Sequence, residues 1–284
     1  MESLDGQRIR AAVVQALDED LGTGDTTSLA CIPPESESTA RMNARETLTV
    51  AGLDFAETAF RELAPNARIT RCVHEGSLCA PGDPLLEVHG PTRALLSGER
   101  VALNFVQRLS GVATATARFV RAVAGTRARI LDTRKTTPGW RLFEKYAVRC
   151  GGGVNHRMGL HDRILIKDNH LAALAGSAPD PVTAAVHRAR AQYPGLFVQV
   201  EADTPEQAQR AAEAGADGIL LDNMPPEMLR ESLRRIAGRC QTEASGGVTE
   251  STIRSIAETG VDFISVGAIT HSARAVDIGL DFLP

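Results

Sequence analysis

Residues 130–170 read ILDTRKTTPGWRLFEKYAVRCGGGVNHRMGLHDRILIKDNH, and the residue types gathered there point to anion chemistry. Between Arg134 and His170 stand eight cations (Arg134, Lys135, Arg141, Lys145, Arg149, Arg157, Arg163, Lys167) against three acids (Glu144, Asp162, Asp168). Spread evenly, the chain's 31 Lys and Arg would place about four in such a window. A guanidinium such as Arg134 or Arg157 grips a carboxylate through two parallel hydrogen bonds, whereas Lys135 offers a point charge suited to phosphate. His156 adds a donor beside Arg157, just after the glycines at 151–153. Lys167 ends an apolar run, where a lysine either meets an anion or becomes a neutral nucleophile for Schiff-base chemistry. Each feature alone has a plainer reading as a solvated loop, a surface pair or a snorkelling lysine.

Two carboxylates lie downstream at equivalent places, Glu201 in VQVEAD and Asp222 in ILLDN. Open carboxylate oxygens at two neighbouring strand ends suit Mg²⁺, which takes further ligands from water and substrate phosphate; either acid alone is equally a helix N-cap. EASGGV at 243–248 and SVGA at 265–268 each place glycine between a strand and a helix, where freed backbone amides can cradle a phosphate.

The elements that must position these groups follow from periodicity. Before residue 110 the pattern is mixed: a helix over 6–20 with Ile9, Val13 and Leu17 on one face, strands near 38–51, 67–73 and 84–89, and a helix over 53–63. From about 97 a long helix carries Val101, Phe105, Leu109, Val112, Thr116, Phe119 and Val123 at spacings of three and four. After it, short apolar strands (ARILD, RILIK, FVQVE, GILLD, QTEAS, FISVG) alternate with helical segments. That alternation predicts parallel strands with right-handed crossovers, whose carboxyl ends bind ligands. Six strands are clear, and GGGVNHR is a candidate seventh. A doubly wound open sheet is the alternative to a barrel.

The bulk numbers narrow the class. The chain has 284 residues, room for one large or two moderate domains, with 43% hydrophobic and 23% charged residues and a formal net charge of −4. Mild overall acidity argues against nucleic-acid binding, so the cations are local and their ligand is small. Five cysteines without a C-x-x-C pair fit a reducing cytoplasm, and the pattern predicts neither a signal peptide nor a membrane span, with no apolar run of ~18 residues. Neither the H-E-x-x-H spacing nor a dinucleotide-binding G-x-G-x-x-G after a strand occurs.

Taken together, LSGERVALNFVQRLSGVATAT, DTRKTTPG, KYAVRCGGGVNHR, ILIKDNH, VEAD, LLDN, EASGGV and SVGAITHS resemble the quinolinate phosphoribosyltransferase family, and the likeness runs from LDEDLGTGDTTS to VDIGLDF. The resemblance implies an N-terminal α/β sandwich domain over 1–110, an incomplete, seven-stranded α/β barrel over 111–270, and a C-terminal tail, 271–284, packing back on the first domain. It implies a pentosyltransferase of NAD biosynthesis that joins quinolinate to the phosphoribosyl group of phosphoribosyl pyrophosphate with loss of CO₂. It places Arg134, His156, Arg157 and Lys167 around quinolinate, with Arg100 reaching in from the other subunit of a homodimer. For phosphoribosyl pyrophosphate it implies Thr133, Lys135, Glu201 and Asp222 with Mg²⁺, and the turns Ser245–Gly247 and Val266–Ala268; Lys135, Glu201 and Asp222 become the catalytic candidates. The nearest alternative is the paralogous phosphoribosyltransferase of molybdenum-utilisation operons. A Schiff-base aldolase using Lys167 and a phosphate-sensing barrel without turnover are rivals of other classes.

Overall fold

Asp5 and Asp25 set the first two helices. Their carboxylates accept the N–H groups of Gln7 and Ser28, both at 3.0 Å, and so cap α1 (Gly6–Leu21) and α2 (Thr26–Cys31). In this computed structural model, which describes residues 4–284, there follow β1 (Glu37–Ala44), β2 (Leu48–Thr49), α3 (Leu53–Leu63), β3 (Arg68–Arg71), β4 (Leu78–Cys79), β5 (Pro84–Pro91) and the long α4 (Thr92–Ala122). Next come β6 (Arg129–Leu131), α5 (Arg141–Cys150), β7 (Ile164–Ile166), α6 (Asp168–Ala173), α7 (Pro181–Gln192), β8 (Val198–Ala202), α8 (Pro205–Glu213) and β9 (Gly218–Asp222). The chain closes with α9 (Pro226–Ile236), β10 (Gln241–Ser245), α10 (Ile253–Ala257), β11 (Phe263–Ser265), α11 (Ala268–His271) and β12 (Ile278–Leu283). Among the described residues no helix is long and apolar enough to cross a membrane.

The chain divides into two compact units. The first takes the residues up to Ala117, together with Leu142–Gly152 and Ser272–Pro284. Its sheet runs β12-β1-β5-β3, antiparallel throughout, with Ala40 opposite Val88 and Met42 opposite both Leu86 and Leu280. Alternation buries Ala40, Met42 and Ala44 on one face of β1. α1 buries the expected Ile9, Val13 and Leu17. Phe55 of α3 stacks on Phe105 of α4 at 4.8 Å and meets Phe143 of α5 edge-on at 5.0 Å.

α5 was not foreseen from the pattern: Phe143, Tyr146, Ala147 and Val148 form a buried helical set, hidden in the sequence by the charged residues between them. Gly111 lets α4 approach the C-terminal segment, because a Cβ there would strike the carbonyl of Arg274.

In the second unit, Arg118–Arg141 and Gly153–His271, six parallel strands take the order β6-β11-β10-β9-β8-β7, with helices between successive strands. The expected seventh strand is reduced to one bridge, Val154 beside Leu131. The reason is where the hydrogen bonds of this segment go. Asp132, fully buried, accepts the His156 N–H at 2.8 Å and the Asn155 side-chain amide at 2.7 Å, so a carboxylate substitutes for ladder partners.

Gly111→Ala should lower stability by about 1–3 kcal/mol through overpacking against residue 274, read as a lower urea midpoint at unchanged slope. An unchanged midpoint would contradict the close approach.

Candidate active site

Side chains two apart on each parallel strand share a face. In the second unit that rule stacks inward-facing residues in layers: Leu165, Gln199, Leu220, Glu243 and Ser265 lie along the wall, and Lys167, Glu201, Asp222 and Ser245 stand at the carboxyl ends. The ends enclose a cavity of about 600 Å³ lined by Thr133, Arg134, Lys135, His156, Arg157, Leu165, Lys167, Glu201, Leu220, Asp222, Asn223, Glu243, Ser245, Gly246, Gly247 and Ser265. A larger hollow of about 810 Å³ lies at the opposite strand ends, bounded by Arg127, Asp217, Arg239, Cys240 and Asp262. Its acids are committed to the fold: Asp262 accepts from the Thr242 N–H and hydroxyl, and Asp217 from the Val198 N–H. The cavity at the carboxyl ends is therefore the candidate site.

Eleven of the fifteen residues singled out from the sequence line this cavity. Val266, Gly267 and Ala268 do not line it, although a Cβ on Gly267 would sit 3.1 Å from Cδ of Lys135, and the Thr270 hydroxyl donates to the Lys135 carbonyl at 2.7 Å. The turn after β11 thus backs the Lys135 loop. Arg100 lies in the first unit, on α4, exposed.

Of the eight cations in the opening stretch, four reach the cavity: Arg134, Lys135, Arg157 and Lys167. The others build structure. Arg141 donates to the Met158 carbonyl at 3.0 Å, Arg163 lies 4.4 Å over the Phe197 ring, and Arg149 lies 5.9 Å over Tyr146. Three carboxylates enter the lining from other strands (Glu201, Asp222, Glu243), so the cavity's formal excess is one positive charge, much smaller than the sequence window suggested.

What distinguishes the cavity is how that charge is arranged. Arg157 is buried, and burial, helped by the nearby Arg134 and Arg163 and opposed by Asp162, pushes its pKa down. Nε of Arg134 is buried with no hydrogen-bond partner among the described residues. An incoming carboxylate would relieve both. Asp162 pins the turn before β7, accepting the N–H groups of Met158 at 2.6 Å and Gly159 at 2.9 Å; burial raises its pKa, but these bonds outweigh burial and hold it below the usual range.

The opposite wall is acidic. Glu201 pairs with Lys167 at 2.5 Å, and Asp222 accepts the Asn223 side-chain amide at 2.6 Å. Neither acid is a helix cap, since Thr204 caps α8 and Pro225 stands at the start of α9. Lys167 is half-exposed and paired with a carboxylate, not the desolvated amine that Schiff-base chemistry requires.

Gly246 and Gly247 both have positive φ (95° and 60°), and a Cβ on Gly246 would strike Oδ1 of Asn223. α10 begins only at Ile253, so any phosphate cradle here is the glycine turn itself, not a helix N-terminus.

Sequence reasoning missed Glu243 and Gln199. The available signal was a polar residue at an inward position of a strand buried on both faces, QTEAS and VQVEA.

Comparison with known proteins places this geometry. The quinolinate phosphoribosyl transferase N-terminal domain family matches residues 25–110, and the C-terminal domain family of the same name matches residues 112–281. The chain is 45% identical over 265 residues (93% of this chain, 89% of the relative) to a protein of Bacillus subtilis named probable nicotinate-nucleotide pyrophosphorylase [carboxylating]. It is 44% identical over 278 residues (96% of each chain) to the Mycobacterium leprae nicotinate-nucleotide pyrophosphorylase [carboxylating]. A solved nicotinate-nucleotide pyrophosphorylase from Francisella tularensis superposes with a TM-score of 0.93 at 37% identity, covering 99% of this chain and 98% of that one. With both domain families matched in order over most of its length, the chain belongs to the quinolinate phosphoribosyltransferase family.

Proposed function

We propose that the chain is a decarboxylating pentosyltransferase of NAD biosynthesis, joining quinolinate to the phosphoribosyl group of phosphoribosyl pyrophosphate and releasing pyrophosphate and CO₂. Names borne by relatives at 44–45% identity support the reading. The observation that carries it in this chain is the unshared pair Arg134 and Arg157, partly stripped of water, facing an acidic wall across one cavity. A dicarboxylate belongs on the first wall, and a sugar that becomes cationic belongs near the second.

In this reading Arg134 and Arg157 clamp the two carboxylates of quinolinate, and His156 lines the clamp. Lys167 exchanges Glu201 for a substrate carboxylate when quinolinate binds. Thr133, Lys135, Ser245–Gly247 and the turn at Val266–Ala268 hold the phosphates. Oriented in this way, the ring nitrogen forms its bond to the anomeric carbon as the bond to pyrophosphate breaks. Glu201 and Asp222 stabilise the positive charge on the sugar, and Lys135 offsets charge on the leaving group. With the nitrogen ribosylated and cationic, the bond to the C2 carboxylate breaks. CO₂ departs, the electron pair stays on C2 beside the positive nitrogen, and that carbon takes a proton.

Glu201 and Asp222 also fit Mg²⁺. Each has one oxygen engaged by a neighbouring side chain and a second that can serve a hard cation, with remaining ligands drawn from water and phosphate. An ion held there would supply further charge neutralisation at the pyrophosphate. Arg100, exposed on α4, fits a site completed across a homodimer.

The testing experiment is turnover of quinolinate with phosphoribosyl pyrophosphate and Mg²⁺, following nicotinate mononucleotide and CO₂ together. Equal amounts of both products are expected, with loss of turnover in EDTA and recovery on adding Mg²⁺. Arg134→Ala should lose on the order of 2–5 kcal/mol of transition-state binding; near-normal kcat/KM in that variant would remove Arg134 from the pocket.

Mixing two inactive variants, Arg100→Ala and Arg134→Ala, should restore about a quarter of the wild-type sites if one site draws on both subunits of a two-fold dimer. No recovery after subunit exchange would exclude the shared site.

A further inference from the structure

Beneath the clamp lies a polar group that the reaction above does not use. Glu243 sits at an inward position of β10, 3% exposed, and forms part of the wall of both the main cavity and a smaller one of about 60 Å³ nearer the strand starts. A barrel interior built for stability alone would place an apolar side chain there, because a buried carboxylate is costly unless its charge is matched. The match is incomplete. Gln199 donates to Oε2 at 2.7 Å and Nε2 of His156 lies 3.5 Å from the same oxygen, while Oε1 has no hydrogen-bond partner among the described residues. Burial raises the Glu243 pKa, but His156, Gln199 and Ser265 outweigh burial and leave it below the usual carboxylate range.

His156 connects this carboxylate to the clamp. The Arg157 backbone N–H donates to Nδ1 of His156 at 2.7 Å, so Nδ1 carries a lone pair and the ring proton belongs on Nε2, the nitrogen facing Glu243. The backbone of the same segment is held by Asp132 through the His156 N–H, and the Arg157 guanidinium is steadied by Nη1 donating to the Arg163 carbonyl at 3.0 Å. The imidazole is therefore a splint between Glu243 and the backbone of Arg157, and it is buried at 8% exposure. Gln199 keeps the carboxylate from turning away.

We propose that Glu243 is a positioning residue for the dicarboxylate pocket: through the tautomer and orientation of His156 it sets the position of the Arg157 guanidinium. The proposal rests on the reading of the Arg134–Arg157 wall as the quinolinate clamp. It assigns Glu243 no contact with substrate and no proton transfer.

The test compares wild type with Glu243→Gln, which keeps the shape and removes the charge, by two readouts. In protein labelled with ¹⁵N-histidine, His156 signals are assigned by their absence in His156→Gln. Wild type at neutral pH should show the Nε2–H tautomer, and Glu243→Gln should show a mixture or an averaged ring. In steady state Glu243→Gln should raise the KM for quinolinate about tenfold and change the KM for phosphoribosyl pyrophosphate by less than about twofold; Glu243→Asp should recover part of the loss.

A wild-type His156 that is Nδ1–H, doubly protonated or freely averaging overturns the proposal without any variant, even if Glu243→Gln does not fold. Unchanged His156 signals in the variant, or both KM values rising alike, overturn it as well. Absence of quinolinate turnover in wild type with an intact Nε2–H signature would instead strike the functional reading.

Discussion

Burial of the Arg157 guanidinium, with Arg134 nearby, is the constraint from which the rest of the cavity follows. A buried cation hydrates or moves unless the scaffold prevents it, and burial first, with Arg134 second, pushes the Arg157 pKa down. Rigid supports surround them. Asp132 holds the backbone at His156, and Asp162 closes the turn that follows the clamp. Thr270 ties the carbonyl of Lys135 to the turn after β11. These bonds fix the positions of the cavity's cations in advance, which is the preorganisation that the proposed recognition of a dianion needs.

The acidic wall follows from the same geometry. Parallel strands put inward side chains in register, so Glu201 and Asp222 reach the mouth from adjacent strands, and the Asn223 N–H joins the strand ends by donating to the Ser245 carbonyl at 2.8 Å. Asn223 adopts a left-handed φ of 53°, a conformation that asparagine tolerates better than most residues. The resulting turn presses its side chain against Gly246, which explains why a glycine stands there. One cavity thereby carries both the basic pair Arg134 and Arg157 and the acids Glu201 and Asp222, and its formal charge is nearly balanced.

Much of this was legible in the sequence where the signal is local. Ile9, Val13 and Leu17 gave α1 its buried face, and the apolar runs ending in Lys167, Glu201, Asp222 and Ser245 gave parallel strands with polar carboxyl ends. Residues whose role depends on a distant partner were harder to read. The charge of Arg141, Arg149 and Arg163 looked the same in the sequence as that of Arg134 and Arg157, and only packing shows that the first three serve a carbonyl and two rings. The seventh strand is reduced to a single bridge, and the next backbone donor, the His156 N–H, goes to the Asp132 carboxylate, a long-range hydrogen bond that periodicity does not encode. Glu243 was passed over because a polar residue within a short strand reads as an exposed face until its neighbours are known.

The central claim is that the cavity recognises a dianion by charge held in advance. Calorimetric titration of the protein with quinolinate and with nicotinate, at low and at moderate salt, tests it most directly. The account predicts that quinolinate binds at least about tenfold more tightly than nicotinate and weakens more steeply as salt is raised. Equal affinities with equal salt dependence would contradict it, because the second carboxylate would then meet no counter-charge.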